Sequence, residues 1–107
     1  MKILAVTACP SGVAHTYMAA EALEKAAKAK GIEIKVETQG SIGIENKITA
    51  ADIKDTDAVI LTKDMGIKEV ERFNGLPIVK VAISDVVKKA EQILDKVEAY
   101  INGKKQV

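Results

Sequence analysis

The apolar residues of the chain follow two patterns, one typical of strands and one typical of helices. Residues 3–6, 58–61 and 78–83 are short runs dominated by apolar side chains. Such runs are typical of strands that are buried on both faces of a parallel sheet. Residues 32–37 instead alternate apolar and charged side chains, which indicates a strand with one wetter face, nearer the edge of the sheet. The pattern therefore predicts four strands.

Helical spacing of apolar residues occurs after the first strand and after the last. The first helical segment is rich in Ala, Glu and Lys and ends before Gly31, a residue typical of the position after a helix. Its stripe consists of Ala14, Met18, Ala22, Ala26 and Ala29. The last helix is predicted to open at Ser84 as its N-cap and to end at Gly103. Its stripe consists of Val87, Ala90, Leu94, Val97 and Ile101.

Two shorter helices are predicted from local signals. Thr49 and Asp52 have the spacing of a capping box, in which each side chain satisfies a backbone N–H of the other residue at a helix start. Residues 67–72 are predicted to form a second brief helix. Residues 39–43 and 74–77 are rich in turn-forming residues and are predicted as loops.

Strands that alternate with helices predict an α/β fold. We expect an open four-stranded parallel sheet flanked by helices, in a Rossmann-like three-layer arrangement. A chain of 107 residues with 48% hydrophobic content has room for one core, so residues 1–102 are predicted as a single domain and residues 103–107 as a tail or linker stump. Ligands of such sheets bind outside the carboxyl ends of the strands.

Composition and charge argue against several classes of function. Sixteen basic and fifteen acidic residues give a net charge of +1, which creates no field for nucleic acid or for an anionic membrane surface. Three aromatic residues provide no stacking platform for single-stranded nucleic acid. No apolar run approaches the ~20 residues of a membrane span, and the N-terminus does not resemble a signal peptide. We therefore expect a soluble, cytoplasmic monomer without direct membrane insertion.

The chain has a single cysteine, Cys9, which immediately follows the predicted first strand. One cysteine cannot form an internal disulfide or a thiolate cluster for a metal ion, so we expect no metal and no cofactor. Cys9 is therefore either a packed thiol or a reactive one. Free cysteines are often small buried hydrophobic residues, although the proline and glycine beside this one indicate a loop.

The candidate chemistry lies in the loop between the first strand and the first helix. Its sequence is Cys9-Pro10-Ser11-Gly12-Val13-Ala14-His15-Thr16. A glycine-containing loop at this place turns its backbone N–H groups toward one point, and the following helix adds the positive end of its dipole. The loop therefore predicts a phosphate-binding site. The same position favours the thiolate form of Cys9, and more so if His15 is protonated.

Ordinary structural explanations also exist for the polar residues of this loop. A single histidine at a helix start is commonly solvated or hydrogen-bonded without any catalytic role. The hydroxyls of Ser11 and Thr16 are as well suited to helix capping as to phosphate contact.

The spacing between Cys9 and His15 bears on the fate of a phosphoryl group bound to the thiol. The loop resembles the Cys-x5-Arg-Ser/Thr loop of low-molecular-weight tyrosine phosphatases, with His15 in the place of the arginine. Arg72, the only arginine in the chain, lies far away in sequence, so the loop lacks the bidentate clamp that stabilises transfer to water. A long-lived phosphocysteine is favoured, and a phosphatase-like hydrolase or a thiol-sensing regulatory domain are the alternatives.

The loop and the residues after it resemble one family closely. Residues 9–16, followed by Tyr17-Met18-Ala19-Ala20-Glu21, are similar to the active-site segment of fructose-type EIIB domains of the bacterial sugar phosphotransferase system, in which a threonine is usual at the Ser11 position. The resemblance continues through residues 37–43, 51–53 and 57–60 and through Asp64. It covers nearly the whole chain.

The resemblance implies a role for Cys9 as a phosphocysteine carrier. Cys9 would accept a phosphoryl group from a phosphohistidine on an EIIA partner and pass it to fructose, or to a related sugar, bound by a membrane-embedded EIIC partner. His15 would support the transfer. Contacts with both partners would be transient and would place the protein at the inner face of the membrane. The sequence does not identify the sugar, because the family places sugar specificity in EIIC.

Three polar residues near the ends of the next two strands are candidates for the rim of the site. Gln39 and Ser41 follow the second strand, and Asp64 ends the third, so all three are expected near Cys9. Turn formation explains Ser41 equally well. Asp64 suits either a general acid or a cap on the short helix at residues 67–72.

Overall fold

The fold is an α/β sheet with helices on both faces, as the sequence predicts. The structure is a computed structural model, which describes residues 1–8, 13–40 and 43–105. Its elements are, in chain order, β1 (Lys2–Ala8), α1 (Val13–Lys30), β2 (Glu33–Gly40), β3 (Gly43–Glu45), α2 (Ala50–Ile53), β4 (Ala58–Thr62), a 3₁₀ helix (Val70–Phe73), β5 (Ile78–Val81) and α3 (Ile83–Lys105). The strand order is β3-β2-β1-β4-β5, and β2, β1, β4 and β5 are parallel.

Two clusters of buried side chains form the core, one on each face of the sheet. Side chains of a strand point alternately to the two faces of the sheet. Ile3 of β1 therefore packs with Leu23 of α1 and Leu94 of α3 on one face, whereas Leu4 packs with Phe73 on the other. Each fully buried aliphatic or aromatic side chain contributes about 1.5–3 kcal/mol. The two clusters confirm the predicted three-layer arrangement.

The strand β1 and the end of the first helix match the prediction. β1 lies in the middle of the sheet, and residues 3–8 are all buried. α1 ends before Gly31, whose φ of 72° lies in the left-handed region that glycine adopts without steric cost. The Gly31 N–H donates to the carbonyl of Lys28 at 3.2 Å, which satisfies one of the carbonyls that the helix end leaves free.

The predicted apolar stripe of the first helix is wrong. Ala14 and Met18 are exposed, and the buried face instead carries Ala19, Leu23 and Ala27. The segment has alanines on every face, so their spacing does not single out the face that packs on the sheet.

Two features of the sheet differ from the prediction of four strands. Residues 39–43, predicted as a loop, include the end of β2 and the start of β3, an antiparallel strand that pairs Thr38 with Glu45 and Gly40 with Gly43. Antiparallel strands can be joined by a very short connection. A sequence typical of a loop is therefore compatible with a short edge strand directly after β2. β5 is the other edge strand, and Ile78 is 39% exposed. The prediction that residues 78–83 are buried on both faces was therefore wrong, because an apolar run does not reveal how many neighbours a strand has.

The short helices are present, with one change of type. Thr49 Oγ1 accepts the Asp52 N–H at 3.3 Å, and Asp52 Oδ2 accepts the Thr49 N–H at 2.9 Å, which confirms the capping box at the start of α2. The helix predicted at residues 67–72 is instead a single 3₁₀ turn, Val70–Phe73.

The last helix begins and ends outside its predicted limits. α3 begins at Ile83, so Ser84 lies inside the helix and is not its N-cap. The carboxylate of Asp64 accepts the Ile83 N–H at 2.7 Å instead. The helix continues to Lys105, two residues beyond the predicted end at Gly103. In the part of the chain that the structure describes, no helix combines the length and the apolar character that a membrane span needs.

Candidate functional site

The carboxyl ends of β1, β2 and β4 lie side by side, at the edge of the sheet where the sequence predicts the site. β1 ends at Ala8, which pairs with Gln39 of β2, and α1 begins at Val13. Cys9, Pro10, Ser11 and Gly12, which connect the two elements, lie outside the described residues, as does Ser41. The structure does describe the groups that hold both ends of this connection.

The end of β1 is held by the side chain of Thr62. Its hydroxyl accepts the Ala8 N–H at 3.0 Å and donates to the Ala8 carbonyl at 3.1 Å. The backbone pairing between β1 and β4 stops at Val6 and Leu61, two residues short of Ala8. The Thr62 hydroxyl therefore takes the place of a backbone partner for the residue that directly precedes Cys9.

The start of α1 is tied to β1 by a second threonine. Thr7 Oγ1 donates to the carbonyl of Thr16 at 3.2 Å, and both residues are buried. Thr16 is the fourth residue of α1, so it does not occupy the N-cap position. Its own hydroxyl is buried and finds no hydrogen-bond partner among the described residues. Because an unsatisfied buried hydroxyl is costly, Thr16 is the described side chain best suited to meet a group bound at the loop.

The first turns of α1 present exposed residues beside this edge. Ala14 and His15 are exposed. Tyr17 is also exposed, and its hydroxyl donates to the Glu45 carboxylate at 2.6 Å. This hydrogen bond raises the pKa of Tyr17. The start of α1 is thus fixed to β1 through Thr16 and to β3 through Tyr17.

Gln39, a predicted rim residue, has its side-chain amide engaged in protein contacts. It is 4% exposed. Its Nε2 donates to Glu37 Oε2 at 2.8 Å and to the Lys68 carbonyl at 3.0 Å, and its Oε1 accepts the Lys68 N–H at 2.8 Å. These bonds attach the segment that follows β4 to the end of β2.

Asp64, the other described rim residue, caps a helix, but not the one that the sequence suggested. Its Oδ1 accepts the Ile83 N–H, at the first residue of α3. A carboxylate at this place satisfies a free N–H and interacts favourably with the helix dipole. The contact joins the end of β4 to the helix that follows β5.

The sequence analysis did not identify a buried ion pair between Glu37 and Arg72. Glu37 is 0% exposed. Arg72 donates to both of its carboxylate oxygens, through Nη1 to Oε1 at 2.7 Å and through Nη2 to Oε2 at 2.6 Å. The Ile48 N–H also donates to Oε1 at 2.8 Å. Arg72 is bonded in addition to the Ile48 carbonyl and lies 4.7 Å from the centre of the Phe73 ring.

The ion pair is kept charged by its hydrogen bonds. Burial alone raises the pKa of Glu37 and is the largest single influence, but the hydrogen bonds from Arg72, Gln39 and Ile48 together outweigh it and lower the pKa. The hydrogen bond to Glu37 raises the pKa of Arg72, so both shifts favour the charged form of the residue. One signal of this pair was available in the sequence: Glu37 and Gln39, two polar residues spaced by two, lie on one face of β2, of which residues 36–39 are buried.

A comparison with protein families matches most of the chain. The model described as "PTS system, Lactose/Cellobiose specific IIB subunit" matches residues 4–96.

Individual relatives agree on the component, although their names give different sugars from that description. The "PTS system fructose-like EIIB component 2" of Escherichia coli K12 is 70% identical over 100 residues, which are 94% of each chain. The "PTS system fructose-specific EIIABC component" of Bacillus subtilis is 48% identical over 95 residues, which are 89% of this chain and 15% of that protein.

A solved structure extends the similarity to the fold. The solution structure of the Enzyme IIB subunit of the PTS system from E. coli K12 has a TM-score of 0.90 and 39% identity, and the match covers 97% of this chain and 96% of that one. The fold that the hydrophobic pattern predicts is therefore the fold of this relative.

Proposed function

The chain belongs to the EIIB family of the sugar phosphotransferase system, and we propose that Cys9 is the residue on which it carries a phosphoryl group. Membership makes the chain a phosphotransferase component of the fructose-like type. The observation that carries the proposal is the position of the only cysteine. It directly follows Ala8, which Thr62 holds at the carboxyl edge of the sheet, and the helix α1 begins four residues later.

Two displacements at phosphorus account for the carrier role. In the first, the Cys9 thiolate attacks the phosphorus of a phosphohistidine on EIIA. The S–P bond forms, the P–N bond breaks, and the histidine nitrogen leaves with the electron pair. In the second, a sugar hydroxyl bound by EIIC attacks the same phosphorus, the S–P bond breaks, and the thiolate is restored as the hydroxyl loses its proton. Both steps pass through loose transition states with charge on the equatorial oxygens.

The residues around Cys9 suit the stabilisation of that charge. The first turn of a helix has backbone N–H groups that the helix itself does not bond, and α1 begins beside this edge with the positive end of its dipole. We assign phosphate binding to residues 10–16, with His15 as a supporting group in the first turn. A well-placed donor of this kind contributes about 2.7–4 kcal/mol to a transition state by analogy with oxyanion holes.

The partners and the location follow from the family in the same way. The B. subtilis relative carries the letters A, B and C in the name of one component, which supports EIIA and EIIC as the partners of this chain. Fructose or a related sugar is the proposed cargo. The protein would act in the cytoplasm, at the inner face of the membrane, through brief contacts with EIIC.

The alternative of a phosphatase-like hydrolase is disfavoured by the position of Arg72. Both of its terminal nitrogens are bonded to the buried carboxylate of Glu37. Withdrawing Arg72 to clamp a phosphoryl group would leave that carboxylate buried and uncompensated, at a cost of about 3–5 kcal/mol. Arginine clamping is what the related phosphatase loop uses to promote transfer to water, so the ion pair supports a carrier.

Phosphorylation by an EIIA donor tests the proposal. We expect incubation with phosphorylated EIIA to add one phosphoryl group to Cys9, detected by intact-protein and peptide mass spectrometry. Cys9→Ser should remove the labelling while circular dichroism and thermal melting stay unchanged. Thr56→Val, an equally small change two residues before β4 begins, is the control and should label normally.

Two results would contradict the assignment. Normal labelling of Cys9→Ser would show that another residue carries the phosphoryl group. Rapid release of inorganic phosphate from labelled wild-type protein, in the absence of EIIC and sugar, would favour the hydrolase.

A further inference from the structure

We infer that Thr62 is a positioning residue for Cys9: its hydroxyl fixes the backbone of Ala8 and thereby sets where the chain leaves the sheet toward the thiol. This inference rests on the proposed function, because it concerns how Cys9 is held for phosphoryl transfer. Its evidence is independent of the comparisons and consists of contacts among described residues only.

The Thr62 hydroxyl meets both polar backbone groups of one residue. It accepts the Ala8 N–H at 3.0 Å and donates to the Ala8 carbonyl at 3.1 Å. A hydroxyl has one hydrogen that it can donate and two lone pairs that can accept hydrogen bonds. The Thr62 hydroxyl therefore uses its hydrogen and one lone pair on the same residue, Ala8. Thr62 is 2% exposed, which excludes most competition from water.

The contact lies where backbone pairing between β1 and β4 has ended. The last pair joins Val6 to Leu61. On its other side β1 still pairs with β2 as far as Ala8 and Gln39. Without the Thr62 hydroxyl, Ala8 would be held from one side only, and its N–H and carbonyl would lie buried without these partners, which is a costly state.

The position of this contact makes it relevant to chemistry and not only to stability. Ala8 is bonded directly to Cys9, so a rotation of the Ala8 peptide moves the sulfur. In-line displacement requires the attacking atom to be aligned with the phosphorus and the leaving group. A displacement of 1 Å in such a geometry can cost on the order of 100-fold in rate.

Neighbouring threonines do not share this role. Thr7 donates to the Thr16 carbonyl in α1 and so holds the helix. Thr56, two residues before β4 begins, donates to the Asp52 carbonyl in α2 at 2.7 Å. Thr56→Val therefore removes a threonine hydroxyl bond from the segment that leads into β4, far from the site, and is the control for Thr62→Val.

Single-turnover phosphorylation of Cys9 by phosphorylated EIIA tests the inference. Thr62→Val keeps the shape of the side chain and removes the hydroxyl, and we expect at least a tenfold slower transfer. Thr62→Ser keeps the hydroxyl and should stay within about threefold of wild type. Thr56→Val should be unchanged. All rates are measured at a temperature at which each variant is fully folded.

A second readout separates positioning from general destabilisation. The rate of Cys9 alkylation by iodoacetamide across pH reports the surroundings of the thiol without any partner protein. Thr62→Val should shift this pH profile, and Thr56→Val should not, even if its melting temperature falls. An unshifted profile in a folded Thr62→Val variant, or transfer within twofold of wild type, would overturn the inference.

The wild-type protein provides a test that needs no variant. The Ala8 amide should exchange its hydrogen as slowly as the amides inside β1, although it faces Thr62 beyond the last backbone pair. Exchange as fast as in an unstructured peptide would overturn the inference even if Thr62→Val does not fold. The proposed function fails in a different way, because wild-type protein would then take no phosphoryl group at all.

Discussion

Removal of Arg72 should destabilise the fold strongly, because it leaves Glu37 buried without its counter-charge. Arg72→Met keeps an unbranched side chain, although a shorter one than that of arginine, and removes both bonds to Glu37. Breaking one side of a buried ion pair costs about 3–5 kcal/mol. The loss of the charge over the Phe73 ring, 4.7 Å from its centre, adds about 0.5–1 kcal/mol. The stability of such a domain is about 5–15 kcal/mol in total.

Urea denaturation followed by circular dichroism measures this loss. For a slope of about 1.5 kcal/mol per molar urea, a loss of 3 kcal/mol lowers the midpoint by about 2 M. Lys25→Met is the control. It breaks the exposed pair between Lys25 and Glu21, whose side chains are 78% and 66% exposed, and should cost no more than about 0.5 kcal/mol.

The pH dependence of the stability difference between the wild type and Arg72→Met tests whether Glu37 causes it. In the wild type the pKa of Glu37 is lowered, so its contribution is complete above the unfolded value of about 4.3 and is lost as the pH falls through the folded value. In Arg72→Met, burial should raise the pKa of Glu37, so that variant gains stability relative to the wild type as the pH falls. The difference between the two proteins should be larger at pH 7 than at pH 4.

A double variant completes the test. Glu37→Gln removes the buried charge. Its cost in unfolding free energy should therefore be much smaller in the Arg72→Met background than in the wild type. The reasoning is refuted if Arg72→Met loses less than about 1 kcal/mol, or if its loss does not depend on pH and on Glu37.

The remaining predictions concern one residue of the loop and one charged cap. His15→Ala should slow the phosphorylation of Cys9 by EIIA while the melting temperature stays unchanged, because His15 is exposed in the first turn of α1; a grossly unfolded variant would show a structural role instead. The hydrogen bond from Lys35, with those from Thr49, lowers the pKa of Asp52 to about 2. Its stabilising contribution should therefore be lost as the pH falls from about 4 toward 2. Asp52→Asn should flatten that part of the curve of unfolding free energy against pH, and an unchanged curve would show that the contacts do not contribute.

Much of the fold was predictable because its signals are local in sequence. The apolar runs located β1 and β4, and the alternation after Gly31 located β2. Helical spacing located α1 and most of α3, and two residues spaced by three located the start of α2. In each case, residues close in the chain determine the element through side-chain period or capping.

The features that the sequence analysis missed depend on residues far apart in the chain. Asp64 caps α3 from 19 residues before Ile83, and Arg72 meets Glu37 across 35 residues. No periodic pattern connects such positions, so Ser84 was the natural but wrong choice of N-cap. The edge position of β5 is also a property of the whole sheet, since strand order decides which strands lack a neighbour.

The candidate site was predictable in its place but not in the roles of its surrounding residues. The end of β1 and the start of α1 do meet at the carboxyl edge, beside Gln39. No sequence pattern singles out Thr62, because its contact with Ala8 depends on where the backbone pairing between β4 and β1 ends. A threonine at the end of an apolar strand has many equally common explanations.

The distribution of bonded and unbonded polar groups at this edge argues for carriage over hydrolysis. The related phosphatase loop uses an arginine clamp, yet both terminal nitrogens of Arg72 are bonded to Glu37, and one oxygen of Asp64 accepts the Ile83 N–H. Among the buried polar side chains that the structure describes, Thr16 has the one hydroxyl without a partner, and it lies in the helix that follows Cys9. This arrangement supports the proposal that the segment carrying the thiol stabilises the charge, while Thr62 and Thr7 hold the residues before and after it.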